Sequence, residues 1–309
     1  MRCRKCGEQA VINMRHHRLA LCREHYLEWF PATTQRIIEK YRMFEPGDRV
    51  LVAVSGGKDS LSLWDVLLHL GYRAEGLYIG LGIEGQDYSE QSYARVKKFT
   101  EERPGAVLHV VDVGETYGQT IPELARRRRR GKPCSVCGLA KRYIMNRVAI
   151  EGGFDVLATG HNLDDEAAVL FQNVLRWQTG YLARQAPVLP STHPGLARKV
   201  KPFCRFYERE TAAYALVRGI DYIYDECPYA VGATTIFYKT LLNQLEARSP
   251  GAKLGFYLEF LRAREEGLLA QVRESLNLGE CQRCGQPTTA PGLCAFCRLW
   301  VSADGEKIS

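Results

Sequence analysis

Eleven cysteines in this 309-residue chain fall largely into pairs at metal-ligand spacing. Cys3-x2-Cys6, followed by Cys22-x2-His25, puts three thiolates and one imidazole on two short knuckles, the donor set of a tetrahedral zinc site. Near the other end, Cys281-x2-Cys284 and Cys294-x2-Cys297 supply four thiolates, with Gly285 and Pro287 letting the first knuckle turn. Four protein ligands leave no open coordination position, so zinc at either end is structural. Cys134-x2-Cys137 is a further pair, and a distant Cys227 precedes Pro228. Taken alone, that pair also suits zinc or a redox disulfide, and Cys227 a buried thiol. Cys204 has no partner at motif spacing and reads as a small apolar residue.

The string Ser55-Gly56-Gly57-Lys58-Asp59-Ser60 follows the β-branched run Arg49 to Val54. A strand that ends in Ser-Gly-Gly and feeds a helix aims backbone N–H groups and the positive end of the helix dipole at one place, and the glycines allow close approach. That place suits a pyrophosphate. It is not a Walker A loop, which needs Gly-x4-Gly-Lys-Ser/Thr. An ordinary glycine-rich turn is the alternative, and Asp59 and Ser60 opening a helix directly after Lys58 argue against it. Downstream, Gly160-His161-Asn162-Leu163-Asp164-Asp165-Glu166 puts acids at a helix start, where they bind Mg, take a proton, or merely cap the helix.

These motifs need a scaffold. Between the cysteine-rich ends, strand and helix alternate, the signature of a parallel sheet with crossover helices. After the 49–54 strand come a helix over 61–70, a strand over 74–79, a charged amphipathic helix over 88–102 and a strand over 106–113. A helix over 138–151, a strand over 155–159 and a helix over 164–176 follow. From residue 208 the pattern is mostly helical, with 257–276 leading up to the second ribbon. With 46% apolar residues the chain fills one sizeable α/β core plus small appendages. The expected division is an N-terminal zinc module (1–30), a nucleotide-binding catalytic domain carrying the middle cysteines (31–277), a C-terminal zinc ribbon (278–303) and a tail (304–309). No apolar h-region follows the polar start, and no run reaches the roughly 18 apolar residues of a membrane span, so the chain reads as cytoplasmic with no membrane partner. In a reducing cytosol its cysteines serve as metal ligands rather than disulfides.

Ser55 to Ser60 resembles the PP-loop of the ATP pyrophosphatase superfamily, whose members cleave ATP between the α and β phosphates and adenylate a substrate oxygen. The resemblance implies an α/β fold of the adenine nucleotide α-hydrolase kind, a parallel-sheet PP-loop domain flanked here by zinc ribbons. It implies ATP binding by Ser55, Gly56, Gly57, Lys58, Asp59, Ser60, Lys141 and Gly160, with Asp59 supporting Mg-ATP and the backbone near Ala53 and Ile79 holding adenosine. The 160–166 string is similar to the Gly-His-x-x-Asp-Asp of tRNA thiolases and lysidine synthetases. Cys134, Cys137, Gly138, Lys141 and Cys227 resemble the tRNA 2-thiouridine and 2-thiocytidine synthetases, in which three cysteines hold a 4Fe-4S cluster and leave one iron free for sulfide. Zinc modules at both ends mark the uridine branch, which acts on the tRNA T loop, whereas the cytidine branch typically lacks them. By this resemblance Asp59, Lys141 and Asp165 are the catalytic set: Lys141, one turn past Cys137, neutralises phosphate charge, and Asp165 is acid, base or metal ligand. The resemblance further implies a ubiquitin-like thiocarboxylated sulfur carrier and a homodimer.

The net charge of +7, from 42 Lys and Arg against 35 Asp and Glu, is modest, so local clustering says more. Five arginines, Arg126 to Arg130, precede Cys134 and suit phosphate contacts, an acidic protein tail, or a plain solvated face. Basic ribbons at both ends are expected to clamp tRNA around the central sheet, with the target base turned out of its folded loop. His16 and His17 read as polar residues facing solvent or RNA. Cytidine thiolation, lysidine formation, a PP-loop amidating ligase and a non-catalytic zinc or iron-sulfur RNA-binding protein are the competing readings. Lysidine formation gives the cysteine triad no task, and no glutaminase segment is visible for the ligase.

Overall fold

The computed structural model describes residues 1–85, 87–127, 133–230, 232–270 and 278–301. A hairpin of β1 (Ile12–Met14) and β2 (Leu19–Leu21) opens the chain and feeds α1 (Arg23–Lys40). Tyr26, Phe30, Thr34, Ile37 and Ile38 recur at helical spacing and form the buried face of α1. Phe30 stacks on Tyr214 at 4.5 Å and lies 4.2 Å from the Phe206 ring, which fastens α1 to the middle of the protein. Residue 30 lies inside this helix, so the N-terminal module and the nucleotide domain share one continuous rod.

The central sheet is built from β3 (Arg49–Val54), β4 (Arg73–Gly80), β5 (Leu108–Asp112), β6 (Val156–Thr159), β7 (Val188–Leu189) and β8 (Lys199–Val200), in the order β5-β4-β3-β6-β8-β7. All pairs are parallel except β7 with β8. The parallel core matches the alternation in the sequence, while the two-residue edge strands are too short to leave a periodic signal. Crossovers are α2 (Lys58–His69), α3 (Tyr88–Glu101), α4 (Val113–Tyr117), α5 (Ile121–Arg127), α6 (Pro133–Glu151), α7 (Leu163–Leu175) and α8 (Thr179–Arg184); α9 (Glu208–Arg218), α10 (Thr234–Arg248) and α11 (Ala252–Glu265) follow. Helix α2 begins at Lys58 rather than residue 61, and α6 at Pro133 rather than 138, proline being well suited to a first helical turn. The expected helical run over 257–276 stops at Glu265, before Gly267 at φ 101°, and 271–277 lie outside the described residues.

Strand order reverses at β3: the chain runs outward to β4 and β5, then returns to β6 on the other side. In such sheets the crevice beyond the carboxyl ends of the strands at the reversal is the natural ligand site. The loops after β3 and β6 meet there. Helix α7 is fixed by buried charge: Asp164 pairs with Lys253 of α11 at 2.5 Å and Glu166 with Lys201 at 2.7 Å, all four partly or fully withdrawn from water. At the far end, β9 (Gly279–Glu280) and β10 (Pro287–Thr288) frame the second ribbon. Phe296 stacks on Tyr143 of α6 at 3.6 Å, and Trp300 on Tyr117 at 5.3 Å, in one core with Val136 and Ala140. Replacing Lys253 with Met leaves the Asp164 carboxylate buried without its cation, so urea unfolding should show a loss of about 3–5 kcal/mol.

Candidate functional site

The phosphate loop is held open by its own side chains. Ser60 Oγ accepts the Ser55 N–H at 3.1 Å and donates to the Gly57 carbonyl at 3.0 Å, and no side chain caps the α2 N-terminus. Gly56 sits at φ +76°, and a Cβ there would lie 2.5 Å from the Ser92 carbonyl oxygen of α3. Gly160, in the loop after β6, lies so close to Asp59 and Ser60 that a Cβ would meet their backbone at 2.9 Å. The two loops therefore form one wall of the crevice, with Ala53 and Ile79 at the strand ends beside it on a shared apolar face.

Acidic and basic groups alternate across this wall. Lys58 Nζ contacts Asp59 at 3.0 Å and Glu208 at 2.8 Å; Lys239 Nζ, from α10, contacts Glu208 at 3.1 Å and Asp165 at 2.6 Å. Asp59 also accepts from Asn162 Nδ2 at 3.2 Å and from the Thr211 hydroxyl. Burial raises the Asp59 pKa, and Lys58 only partly offsets it. At Glu208 burial loses to the ammonium groups of Lys239 and Lys58, which hold the carboxyl down to about 2. Burial lowers Lys239 but Asp165 and Glu208 outweigh it, and its pKa rises well above the ordinary value.

Of the three acids that begin α7, only Asp165 faces the crevice. It completes a capping box with Asn162, accepting the Asn162 N–H at 3.1 Å, and spends its other oxygen on Lys239. Capping and site chemistry are thus combined in one carboxylate, while Asp164 is committed to Lys253 and to the Glu208 N–H at 2.9 Å. Glu208, Thr211 and Lys239 were not singled out from the sequence; they lie on helices whose charges carry no motif spacing.

Cys134 and Cys137 occupy the first turn of α6, with Lys141 four residues on, and Cys134 Sγ donates to the Tyr229 carbonyl at 3.1 Å, beside Cys227. Burial raises the Cys137 thiol, Lys141 lowers it, and Cys227 and Cys134 raise it again, which places all four charges in one neighbourhood. Among the described residues only the terminal sets and His16–His17–Glu210 bring ligand atoms within 4.8 Å of one another. Three thiols spread more widely than a single ion needs fit a multi-iron cluster better than zinc, and all-thiolate ligation is its chemistry.

The terminal sets have single-ion geometry. Cys6 and Cys22 sulfurs are 3.6 Å apart, Cys22 Sγ is 3.2 Å and Cys3 Sγ 3.5 Å from His25 Nδ1, and Cys284 is 3.8 Å from Cys294. A tetrahedron with Zn–S bonds of ~2.3 Å has edges of about 3.8 Å. Against the effect of burial, backbone N–H groups aimed at Cys3 and Cys281 lower both thiols to about 6, favouring the ligating thiolate. Cys281, Cys294 and Cys297, completing the second set, are buried in the core that includes α6. Cys204 is fully buried, and burial pushes its thiol up to about 12, in keeping with an apolar role.

One surface reading changes. His16 does not face outward: its side chain is 1% exposed and its Nε2 lies 3.2 Å from Glu210 Oε1, because α9 covers it; His17 remains at the surface. Arg126 grips Glu84 at 3.0 and 3.1 Å and Arg127 bonds Gln119 at 2.7 Å, while 128–130 lie outside the described residues.

The fold and its loop define a PP-loop domain, and the PP-loop domain family matches residues 30–231. The family of the 2-thiouridine synthetase TtuA N-terminal LIM domain matches residues 2–27. The chain is 56% identical over 303 residues to the tRNA-5-methyluridine(54) 2-sulfurtransferase of Thermus thermophilus, covering 97% of this chain and 91% of that one. Identity to the Pyrococcus horikoshii protein of the same name is 45% over 300 residues, covering 97% and 94%. The solved U34-tRNA thiolase NcsA from Methanococcus maripaludis, with its 4Fe-4S cluster, superposes with a TM-score of 0.79 at 26% identity, covering 96% of this chain and 95% of that chain. This chain belongs to the tRNA-5-methyluridine 2-sulfurtransferases, a family of PP-loop enzymes.

Glu208 titrates below its ordinary 4.5, so its ties to Lys58 and Lys239 stabilise the fold above that pH and are lost as pH falls towards about 2. Lys239→Gln should raise the Glu208 pKa and move this acid loss to higher pH, as read from the pH dependence of the melting temperature.

Proposed function

We propose that this chain is an ATP-dependent tRNA thiolase that replaces the C2 oxygen of a T-loop uridine or 5-methyluridine with sulfur, releasing AMP and pyrophosphate. The observation that carries the reading is the short path between phosphate loop and cysteines. The Ile223 N–H donates to the Gly56 carbonyl at 2.9 Å. Cys227 follows four residues later, so its Cα lies within about 14 Å of that of Ile223. A path that short supports nucleotide and sulfur chemistry sharing one crevice.

On this reading the amides and side chains of Ser55 to Ser60 bind the phosphates, Asp59 faces the accompanying Mg, and the backbone at Ala53 and Ile79 flanks the adenosine. Gly160 keeps the second loop against the first. The uridine O2 attacks the α phosphate, the new O–P bond forms and pyrophosphate leaves; a sulfur nucleophile then adds at C2, and AMP departs with the original oxygen. Lys141 and Lys58 neutralise phosphate charge as it develops, and Asp165 moves the proton or holds metal. Cys134, Cys137 and Cys227 hold a 4Fe-4S cluster, which when bound supplies an iron free of protein ligands on which sulfide can be presented.

Zinc occupies Cys3, Cys6, Cys22 and His25 at one end and Cys281, Cys284, Cys294 and Cys297 at the other, the modules spanning 1–30 and 278–303 around the 31–277 catalytic domain, with 304–309 a tail. Both ends, with Arg126 to Arg130, engage tRNA phosphates; a ubiquitin-like thiocarboxylated protein delivers sulfur; and the enzyme works as a cytoplasmic homodimer. Among the described residues no helix is long and apolar enough to cross a membrane. Anaerobically purified protein given ATP, a sulfide source and unmodified tRNA should yield a 2-thiouridine-type nucleoside with AMP and pyrophosphate, read by mass spectrometry. Lys141→Ala or Asp165→Ala should abolish the product with the circular dichroism spectrum unchanged. A 2-thiocytidine product, or no thionucleoside and no AMP, would overturn the assignment.

A further inference from the structure

A third set of ligand-type side chains sits where the N-terminal module meets α9. His16 and His17 lie on a single tight turn, Arg15 to His17, with ring centroids 4.1 Å apart, and Glu210 is in the first turn of α9. The three offer atoms within 4.8 Å of one another.

The carboxylate of Glu210 is fully buried. One oxygen accepts the Tyr207 N–H at 2.9 Å; the other, Oε1, has no hydrogen bond among the described residues. Both ring nitrogens of His16 are likewise buried without a hydrogen-bond partner, although Nε2 is 3.2 Å from Oε1. The contact is near but not aligned as a hydrogen bond. Leaving a buried donor or acceptor unpaired costs roughly 1–3 kcal/mol each, and more for a charged one, so a direct ion pair would be expected to turn the ring onto the oxygen. A cation between the two satisfies both without that alignment. Ligand bonds of about 2.0–2.1 Å give a tetrahedral edge of about 3.3–3.4 Å, close to the separation found.

We propose that His16, His17 and Glu210 bind a divalent transition metal of the zinc type, which staples the N-terminal module to α9. Two imidazoles and one carboxylate are a borderline nitrogen and oxygen donor set, suited to Zn rather than to Mg or Ca, and three protein ligands leave a fourth position for water. The staple adds to the Tyr26 hydroxyl, which donates to the Glu210 carbonyl at 2.7 Å across the same junction. The proposal does not depend on the thiolase reading.

The test is metal content of the full-length protein dialysed against Zn2+, measured by mass spectrometry for the wild type, His16→Gln/His17→Gln and Glu210→Gln. The wild type should hold one equivalent more than either variant, with the cysteine-bound metal unchanged. In Co2+ the wild type should show weak visible d–d bands additional to the sulfur-to-cobalt charge transfer, and the variants should lack them. The charge-transfer bands report that the cysteine module has still folded. Equal metal content in all three proteins overturns the proposal, and so does a lower melting temperature in the variants with metal content unchanged, which is what a plain histidine–carboxylate contact would give.

Discussion

Three consecutive carboxylates at the start of α7, Asp164, Asp165 and Glu166, impose the condition that the surrounding protein meets. A helix N-terminus favours negative charge, but burial of a carboxylate demands a cation as well. Three lysines from three different segments answer: Lys253 on α11, Lys239 on α10, and Lys201 after β8. The C-terminal helices are therefore part of the site's construction rather than an appendage, because removing their lysines would strand charge beneath the sheet's crevice. The middle carboxylate alone keeps one side towards the crevice, and Glu208 links its lysine to the lysine of the phosphate loop.

What the sequence discloses and what it conceals divide along the same line. The phosphate loop, the paired cysteines and the Gly-His-x-x-Asp-Asp string are written in spacing a few residues long, and local backbone geometry converts that spacing directly into position. The strand β3 is legible for a similar reason, since a sheet buried on both faces shows as a continuous apolar run, here Val50 to Val54. Lys239, Glu208 and Thr211 carry no such mark: each is one polar residue on a helix with other polar residues, and only tertiary packing brings it to the crevice. His16 illustrates the converse. Next to a second histidine and two arginines it reads as surface, and nothing local announces that α9 lies over it.

The two cysteine-rich ends are not equivalent accessories. The C-terminal ribbon shares a core with α6, where Phe296 stacks on Tyr143 and three of its cysteines lie among the apolar residues of that helix. Its folding and the placement of Cys134, Cys137 and Lys141 are consequently parts of one packing problem. Opening of the ribbon would loosen the helix that carries the middle cysteines. The N-terminal module instead packs through α1 against Phe206 and Tyr214, and through His16 and Tyr26 against Glu210 of α9.

Helix α1 begins one residue after Cys22 and ends at Lys40 in the nucleotide domain, so its 18 residues, Pro31 among them, span about 27 Å as one unbroken helix. A module joined by a flexible linker samples a cloud of positions; one joined by a shared helix has a single separation from the crevice. The chain is in that respect a caliper, its N-terminal knuckle held at a set distance from the phosphate loop.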